Sequence, residues 1–300
     1  MVSTARAEKA PAKINLTLRV LGRRADGYHE LESLVAFAGV GDALTFAPGG
    51  ALTLAVSGPT AQAAGDNADN LVLKAARALA ERIAGLTLGG FALSKRLPVA
   101  AGLGGGSADA AAALRLLARA NGIALDDPRL MQAAQATGAD VPVCLDQKPR
   151  LMRGVGDVLS DPLDLPRLFA VLVNPGVAVS TRDVFAALNL ASRPTSSGDS
   201  SSSPLVVEGW GGEPTAFVTA LAKDRNDLEA PAIELEPAIA EVLSVLHGLP
   251  GCRLARMSGS GATCFGLFPT NAAAAAAART LRVGYPQWWV RATVLGAGQS

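Results

Sequence analysis

The chain has 300 residues, 49% of them apolar, which is enough material for two cores of ordinary domain size. Lysine and arginine number 27 against 26 acidic residues, a formal charge of +1, so no global field draws the protein to nucleic acid or to an anionic membrane surface. Cys144, Cys252 and Cys264 are few, odd in number and far apart, which excludes a disulfide framework and fits a reducing compartment; with only His29 and His247 available, a structural zinc site is excluded too.

The first residues, up to Lys13, carry basic side chains but no apolar h-region, and no uninterrupted apolar run of about 18 residues occurs, so a cytoplasmic protein without leader or membrane span is expected. Ile14, Leu16, Leu18 and Val20 alternate with Lys13, Asn15, Thr17 and Arg19, the period of a half-buried strand. Asp26-Gly27 predicts a turn, and strands follow at 43–46 and 52–56. Asn70 opens an amphipathic helix reaching to about 83, and 91–97 reads as the next strand. Beyond a glycine cluster, the alanines and leucines of 107–120 favour a helix, and a second helix covers 127–136.

Strand signals return at 150–153 and 169–173, and Pro162 and Pro166 between them place a domain boundary near 165, giving domains 1–165 and 166–300. The second half alternates helices at 182–190 and 237–246 with strands at 253–257, 263–268 and 288–294, and the alanine run 272–278 predicts another helix. The pattern is α+β. The serine-rich stretch 192–204 has too little apolar surface to order itself and is expected to be a mobile surface insertion.

The segment Pro98-Val99-Ala100-Ala101-Gly102-Leu103-Gly104-Gly105-Gly106-Ser107 lies between a predicted strand and a predicted helix. Glycines let backbone N–H groups approach an anion, and a helix N-terminus adds unsatisfied N–H groups and the positive end of its dipole, so the segment suits phosphate oxygens. It is neither a Walker A loop, since no Gly-Lys-Ser/Thr occurs, nor a Gly-x-Gly-x-x-Gly fingerprint. Alone, the cluster reads as a flexible turn leading into a helix.

Two more segments supply context. Pro11-Ala12-Lys13-Ile14-Asn15-Leu16-Thr17-Leu18 resembles the first motif of the GHMP kinase superfamily, residues 98–109 resemble the second, and Met257-Ser258-Gly259-Ser260-Gly261-Ala262-Thr263-Cys264-Phe265 resembles the third, in the family's order and spacing. The resemblance implies a two-domain fold, ribosomal-S5-like first and ferredoxin-like second, with ATP as phosphoryl donor, Mg²⁺, and a small-molecule alcohol as acceptor. The implied partners are these small molecules, with no nucleic acid and no membrane, and the expected assembly is a monomer or homodimer. Gly27-Tyr28-His29-Glu30-Leu31, the Gly-Leu-Gly-Gly-Gly-Ser form of the loop and Gly138-Ala139-Asp140-Val141-Pro142 resemble the members that phosphorylate the 2-hydroxyl of 4-diphosphocytidyl-2-C-methyl-D-erythritol, in the non-mevalonate route to isoprenoid precursors.

The resemblance also implies roles. Asp140 becomes the general base, where by itself an aspartate before Val-Pro is a turn or capping residue. Lys13 is placed beside it, as a charge on the transition state or as a structural ion-pair partner; the two readings are compatible. Gly102, Leu103, Gly104, Gly105, Gly106 and Ser107 would wrap the phosphates, with Pro98, Val99, Ala100 and Ala101 completing the loop and Asn70, Leu71 and Lys95 near adenine. Asn15, Tyr28, His29, Thr181 and Phe185 would hold the acceptor's cytidine, although Phe185, next to Val184 and near Leu188, equally suits a core. Gly259 and Gly261 would turn N–H groups toward the diphosphate, or simply form a tight turn between strands. The Mg²⁺ ligands are left open: Ser107 fits, while Asp109 could equally favour its own helix N-terminus. Ala100 and Ala101 stand where similar enzymes often have glycine, which alters the loop if either needs φ > 0. Competing readings are a kinase for homoserine, mevalonate phosphate or a sugar, and a catalytically silent GHMP-fold sensor, against which the presence of Lys13 and Asp140 argues.

Overall fold

A computed structural model describes residues 6–64, 69–188 and 213–296. The serine-rich stretch 192–204 lies outside the described residues. In the first half the strands are β1 (Arg6–Asn15), β2 (Arg19–Arg23), β3 (His29–Pro48), β4 (Thr53–Ser57), β5 (Gly89–Ser94), β6 (Arg150–Gly154) and β7 (Val158–Leu159), and the helices α1 (Leu71–Ala80), α2 (Gly105–Ala120) and α3 (Pro128–Thr137). The second half holds β8 (Leu168–Asn174), α4 (Thr181–Ala187), α5 (Pro214–Ala222), α6 (Glu229–Leu235), α7 (Ala238–Gly248), β9 (Leu254–Met257), β10 (Cys264–Phe268), α8 (Asn271–Gly284) and β11 (Trp289–Gly296). This is the expected α+β mixture, and no helix among the described residues is long and apolar enough to cross a membrane.

One compact unit comprises the described parts of Met1–Lys13, Ala38–Val99 and Leu103–Gln147. The second half of β3 pairs antiparallel with β5, and β5 pairs parallel with β4, so that Phe46 meets Phe91 and Phe91 meets Leu54. Its helices start where side chains satisfy their first N–H groups: Asn70 Oδ1 accepts from Val72 N at 3.0 Å, and Asp127 Oδ1 accepts from Arg129 N at 2.9 Å ahead of Pro128. Helix α2 has no such cap. It begins after Gly104, two residues before the expected start, and its alanines pack flat against neighbours, burying Ala110 through Ala113 completely.

The other unit comprises Ile14–Phe37, Ala100–Gly102 and the described parts of Lys148–Ser300. It carries the antiparallel order β9-β10-β8-β11, with Cys264 opposite both Met257 and Val173, and Val173 opposite Val290. Its core joins these strands to Ile239, Val242 and Leu246 of α7 and Ala278 and Leu281 of α8. Helices α5 and α6 go beyond the sequence expectation; α6 is only 7 residues long, too short for a periodic signal.

The half-buried strand expected at 13–20 is corrected. Every residue from Ala10 to Leu18 is buried, polar ones included: Lys13, Asn15 and Thr17 are 5%, 4% and 0% exposed. Alternation marks polarity, not exposure, and these polar side chains tolerate burial through bonds of their own: Lys13 Nζ donates to Asp140, the Asn15 amide nitrogen to Ser33 Oγ, and Thr17 Oγ1 accepts from Leu34 N at 3.1 Å.

Candidate active site

Lys13 lies at the end of β1, where its N–H is bound to Leu103 O at 2.9 Å, and Asp140 stands on the turn following α3. Lys13 Nζ donates to Asp140 Oδ2 at 2.8 Å. The lysine side chain is 6% exposed and the carboxylate 36%, so the pair presents its acidic half to solvent. Gly104 passes directly beside both: a Cβ there would sit 3.3 Å from Lys13 Cβ and Cε and 3.8 Å from Asp140 Oδ2, and its φ of +59° also favours glycine. Because α2 starts there uncapped, with Ala108 N to Gly104 O at 2.9 Å as its first turn, the N–H groups of Gly105, Gly106 and Ser107 have no partner within the helix. A helix end whose first N–H groups have no partner within the helix therefore lies next to an ion pair.

The start of the loop is sewn to the third motif. Ser258 Oγ accepts from Asn15 N at 3.0 Å and donates to Gly102 O at 3.0 Å, so one hydroxyl joins all three sequence motifs. Thr263 N adds a bond to Ala101 O at 3.2 Å. Gly102 has φ +72°, and a Cβ on it would lie 2.1 Å from Ser258 O, so no larger residue fits. Ala100 does adopt a positive φ, +50°, at a cost of about 1–2 kcal/mol for an L-residue, whereas Ala101 does not. Pro98 and Val99 are half-buried and Leu103 is fully buried.

Lys95, expected near adenine, is buried between two carboxylates: its Nζ bonds Asp42 Oδ2 and Asp109 Oδ2, the latter at 2.8 Å. Burial works against its charge, but Asp109 and Asp42 together hold its pKa above the usual lysine value. Asp42 is fully used, since Oδ1 also accepts from Arg96 N and Leu97 N. Asp109 Oδ1 has no partner among the described residues, and burial, reinforced by the Asp42 charge and opposed by Lys95, pushes the Asp109 carboxyl up. Asp109 thus turns into the core and does not serve its own helix N-terminus. Lys95 Nζ lies 3.6 Å from where a Gly105 Cβ would be, so the triad sits under the glycine loop. Asn70 is occupied in capping α1, and Leu71 Cδ1 would lie 3.4 Å from a Cβ on Gly106.

The aromatic candidates meet in the other unit. A cavity of about 840 Å³ is lined by Tyr28, His29, Thr181 and Phe185, together with Arg23 and Arg182. The cavity side of Tyr28 is open, the residue being 65% exposed, and His29 stacks on Phe185. Burial first, and the Arg23 charge second, lower the His29 pKa, so the imidazole is neutral at pH 7. Thr181 Oγ1 and Ser260 Oγ share a hydrogen bond of 2.8 Å, which links the cavity to the third motif. Asn15 does not line this cavity; its amide donates to Ser33 Oγ at 2.7 Å and faces Gly259. Gly261 N donates to Ser258 O at 3.0 Å, within the turn.

Residues 70–148 match the GHMP kinases N terminal domain and residues 216–287 the GHMP kinases C terminal domain. A 4-diphosphocytidyl-2-C-methyl-D-erythritol kinase of Rhodopseudomonas palustris is 59% identical over 288 residues, covering 95% of each chain. One from Xanthobacter autotrophicus is 59% identical over 96% of this chain and 98% of its own. The chain belongs to the GHMP kinase family. A crystal structure of 4-(cytidine 5'-diphospho)-2C-methyl-D-erythritol kinase superposes with a TM-score of 0.74 at 36% identity, covering 98% of this chain and 100% of that one. Homoserine kinase from Cytophaga hutchinsonii also reaches 0.74, at 19% identity over 98% of this chain and 96% of its own, which attests the GHMP fold alone.

In this GHMP kinase two residues that sequence reasoning missed stand close to the candidates. Arg115 of α2, 5% exposed, donates to Glu8 Oε2 at 3.1 Å, Lys9 O at 3.2 Å, Cys144 O at 2.8 Å and Leu145 O at 3.2 Å. It ties the strand bearing Lys13 to the turn bearing Asp140. Its only signal in sequence is an arginine inside an alanine-leucine helix. Arg182 follows Thr181 at the start of α4 and brings positive charge to the cavity wall, which suits a diphosphate.

Proposed function

We propose that this ATP-dependent GHMP kinase transfers the γ-phosphoryl group of ATP to the 2-hydroxyl of 4-diphosphocytidyl-2-C-methyl-D-erythritol, a step of the non-mevalonate route to isoprenoid precursors. The observation that carries the chemistry is the Lys13–Asp140 pair, 2.8 Å long, beside an uncapped helix start. Asp140 takes the hydroxyl proton onto its carboxylate as the oxygen attacks the γ-phosphorus and the bond from that phosphorus to the β,γ-bridging oxygen breaks, releasing ADP. Lys13 holds that carboxylate in place through its 2.8 Å bond and faces the negative charge that builds during transfer. The N–H groups of Gly105, Gly106 and Ser107 hold the phosphates, with Leu71 and Asn70 flanking the nucleotide, and Lys95 supports the loop from below.

The cytidine end belongs in the cavity of Tyr28, His29, Thr181 and Phe185, with Arg23 and Arg182 toward the diphosphate and Asn15, Gly259 and Ser260 near the polyol. No group of three or more His, Cys, Asp or Glu side chains among the described residues could hold a metal. Mg²⁺ would bind mainly through phosphate oxygens and water, with the Ser107 hydroxyl a candidate protein ligand. Bound there, Mg²⁺ would neutralise charge on the β- and γ-phosphates. We assign the nucleotide to a domain 1–165 and the C-terminal domain to 166–300, and place the protein in the cytoplasm as a monomer or homodimer.

The test is mass spectrometry of the product from ATP, Mg²⁺ and the diphosphocytidyl acceptor, with homoserine and mevalonate phosphate alongside. One added phosphoryl group on the diphosphocytidyl substrate alone is expected. Intact ATP and acceptor binding with no product would return the chain to the silent-sensor reading.

A further inference from the structure

The turn between β9 and β10 has two glycines in left-handed conformations, Gly259 at φ +58° and Gly261 at +86°, and so has little stiffness of its own. Asn226, on the segment between α5 and α6, closes it. Its Nδ2 donates to Met257 O at 2.9 Å and to Gly259 O at 2.8 Å, while Oδ1 accepts from Leu228 N at 3.0 Å. These bonds admit one orientation only, because a flipped amide would set an oxygen against two carbonyl oxygens and an NH₂ against an N–H. The side chain is buried, 5% exposed, so water does not replace it.

The segment is anchored on both sides. Arg225 O accepts from Leu18 N at 3.0 Å and Asp227 N donates to Leu18 O at 2.8 Å, while Glu229 Oε2 accepts from Met257 N at 2.8 Å. From the turn, Ser260 reaches Thr181 in the cavity wall.

We propose that Asn226 is a positioning residue for the acceptor: by holding Gly259 O it fixes Ser260, and through Ser260 the Thr181 hydroxyl. This rests on the reading that the cavity takes the diphosphocytidyl acceptor. Asn226→Asp keeps the shape and the acceptor for Leu228 N but turns lone pairs toward both carbonyls; Asn226→Ala removes the clamp.

The experiment measures KM for the diphosphocytidyl acceptor and for ATP in both variants, with circular dichroism to verify folding, and repeats Asn226→Ala in a Thr181→Ala background. The loss of a buried hydrogen bond predicts an acceptor KM raised about tenfold, with ATP KM changed less than about twofold. In the Thr181→Ala background the further rise should vanish, which a purely structural role would not produce. Acceptor KM unchanged, both KM values raised alike, additive effects, or failure of both variants to fold each overturn the proposal. Absence of acceptor turnover by the wild type would instead sink the functional reading beneath it.

Discussion

The imidazole of His29 lies on the ring of Phe185, with centroids 4.7 Å apart and planes 20° from parallel. Phe185 is half-buried, packed at the edge of the core formed by α4, α6 and α7, and turns its remaining face to the cavity. A cytosine ring between Tyr28 and Phe185 therefore has to displace the imidazole or stack on its far side. On the proposed reading, Phe185 backs the stack either way.

Replacing Phe185 by alanine is expected to weaken the diphosphocytidyl acceptor roughly 5- to 150-fold, the scale of about 1–3 kcal/mol for a base on an aromatic ring. ATP affinity should hold. Methylerythritol phosphate, which lacks the base, should lose little further. Titration calorimetry with the three ligands decides it: equal losses for all would show a core residue, and no loss would remove the stack.

His29 gives a pH dependence of known sign. Its folded pKa lies below the ordinary histidine value of 6.5, so the native state holds the proton less well than the unfolded chain, and stability from this group is complete above 6.5 and declines as pH falls from 6.5 toward the folded value. Protonation also removes the one imidazole nitrogen able to accept from the base edge. The acceptor KM of the wild type should rise on acidification below that range, and that of His29→Asn should stay flat. Parallel pH profiles would assign the titration elsewhere.

Asp140→Asn should lower kcat by about 10²-fold or more while ATP and acceptor affinities stay within several-fold of wild type, as for a lost general base. Lys13→Met should also act mainly on kcat, because its charge matters most in the transition state. Stopped-assay kinetics with both substrates varied distinguish this from a rise in KM alone, which would make Lys13 a binding residue.

The triad under the glycine loop makes a separate prediction about stability. With its carboxyl raised from 3.8 to about 7, Asp109 stays protonated in the fold over a range where the unfolded chain has ionised, so its contribution falls as pH rises from about 4 to about 7 and is constant above. Asp109→Asn should flatten that part of the profile and give a higher Tm than wild type at pH 8. A lower Tm at pH 8 would mean that the ionised carboxylate is worth more to Lys95 than its burial costs.

What the sequence disclosed was local. Asn70 and Asp127 announced their helices because a cap acts within three residues, whereas the glycine cluster alone marked only a turn into a helix. Lys13 and Asp140, 127 residues apart, were joined only by resemblance. The fate of Lys95 stayed hidden because Asp42 is 53 residues away and looks like any strand-edge aspartate. Burial of Asn15 and Thr17 was hidden because an alternating pattern does not report a second layer covering the polar side. Asn226 had no signal at all, since its importance comes from two carbonyls contributed by a distant turn.

The alanine at position 100 carries one more implication. Its torsion of +50° is uphill, and the bonds that follow it, Ser258 Oγ to Gly102 O and Thr263 N to Ala101 O, hold the chain there. Should those bonds loosen, the residue would relax toward the broad extended region and draw the loop open, with a bias of about 1–2 kcal/mol that glycine would not supply. An alanine at this position therefore leans on its neighbours' hydrogen bonds in a way that a glycine would not.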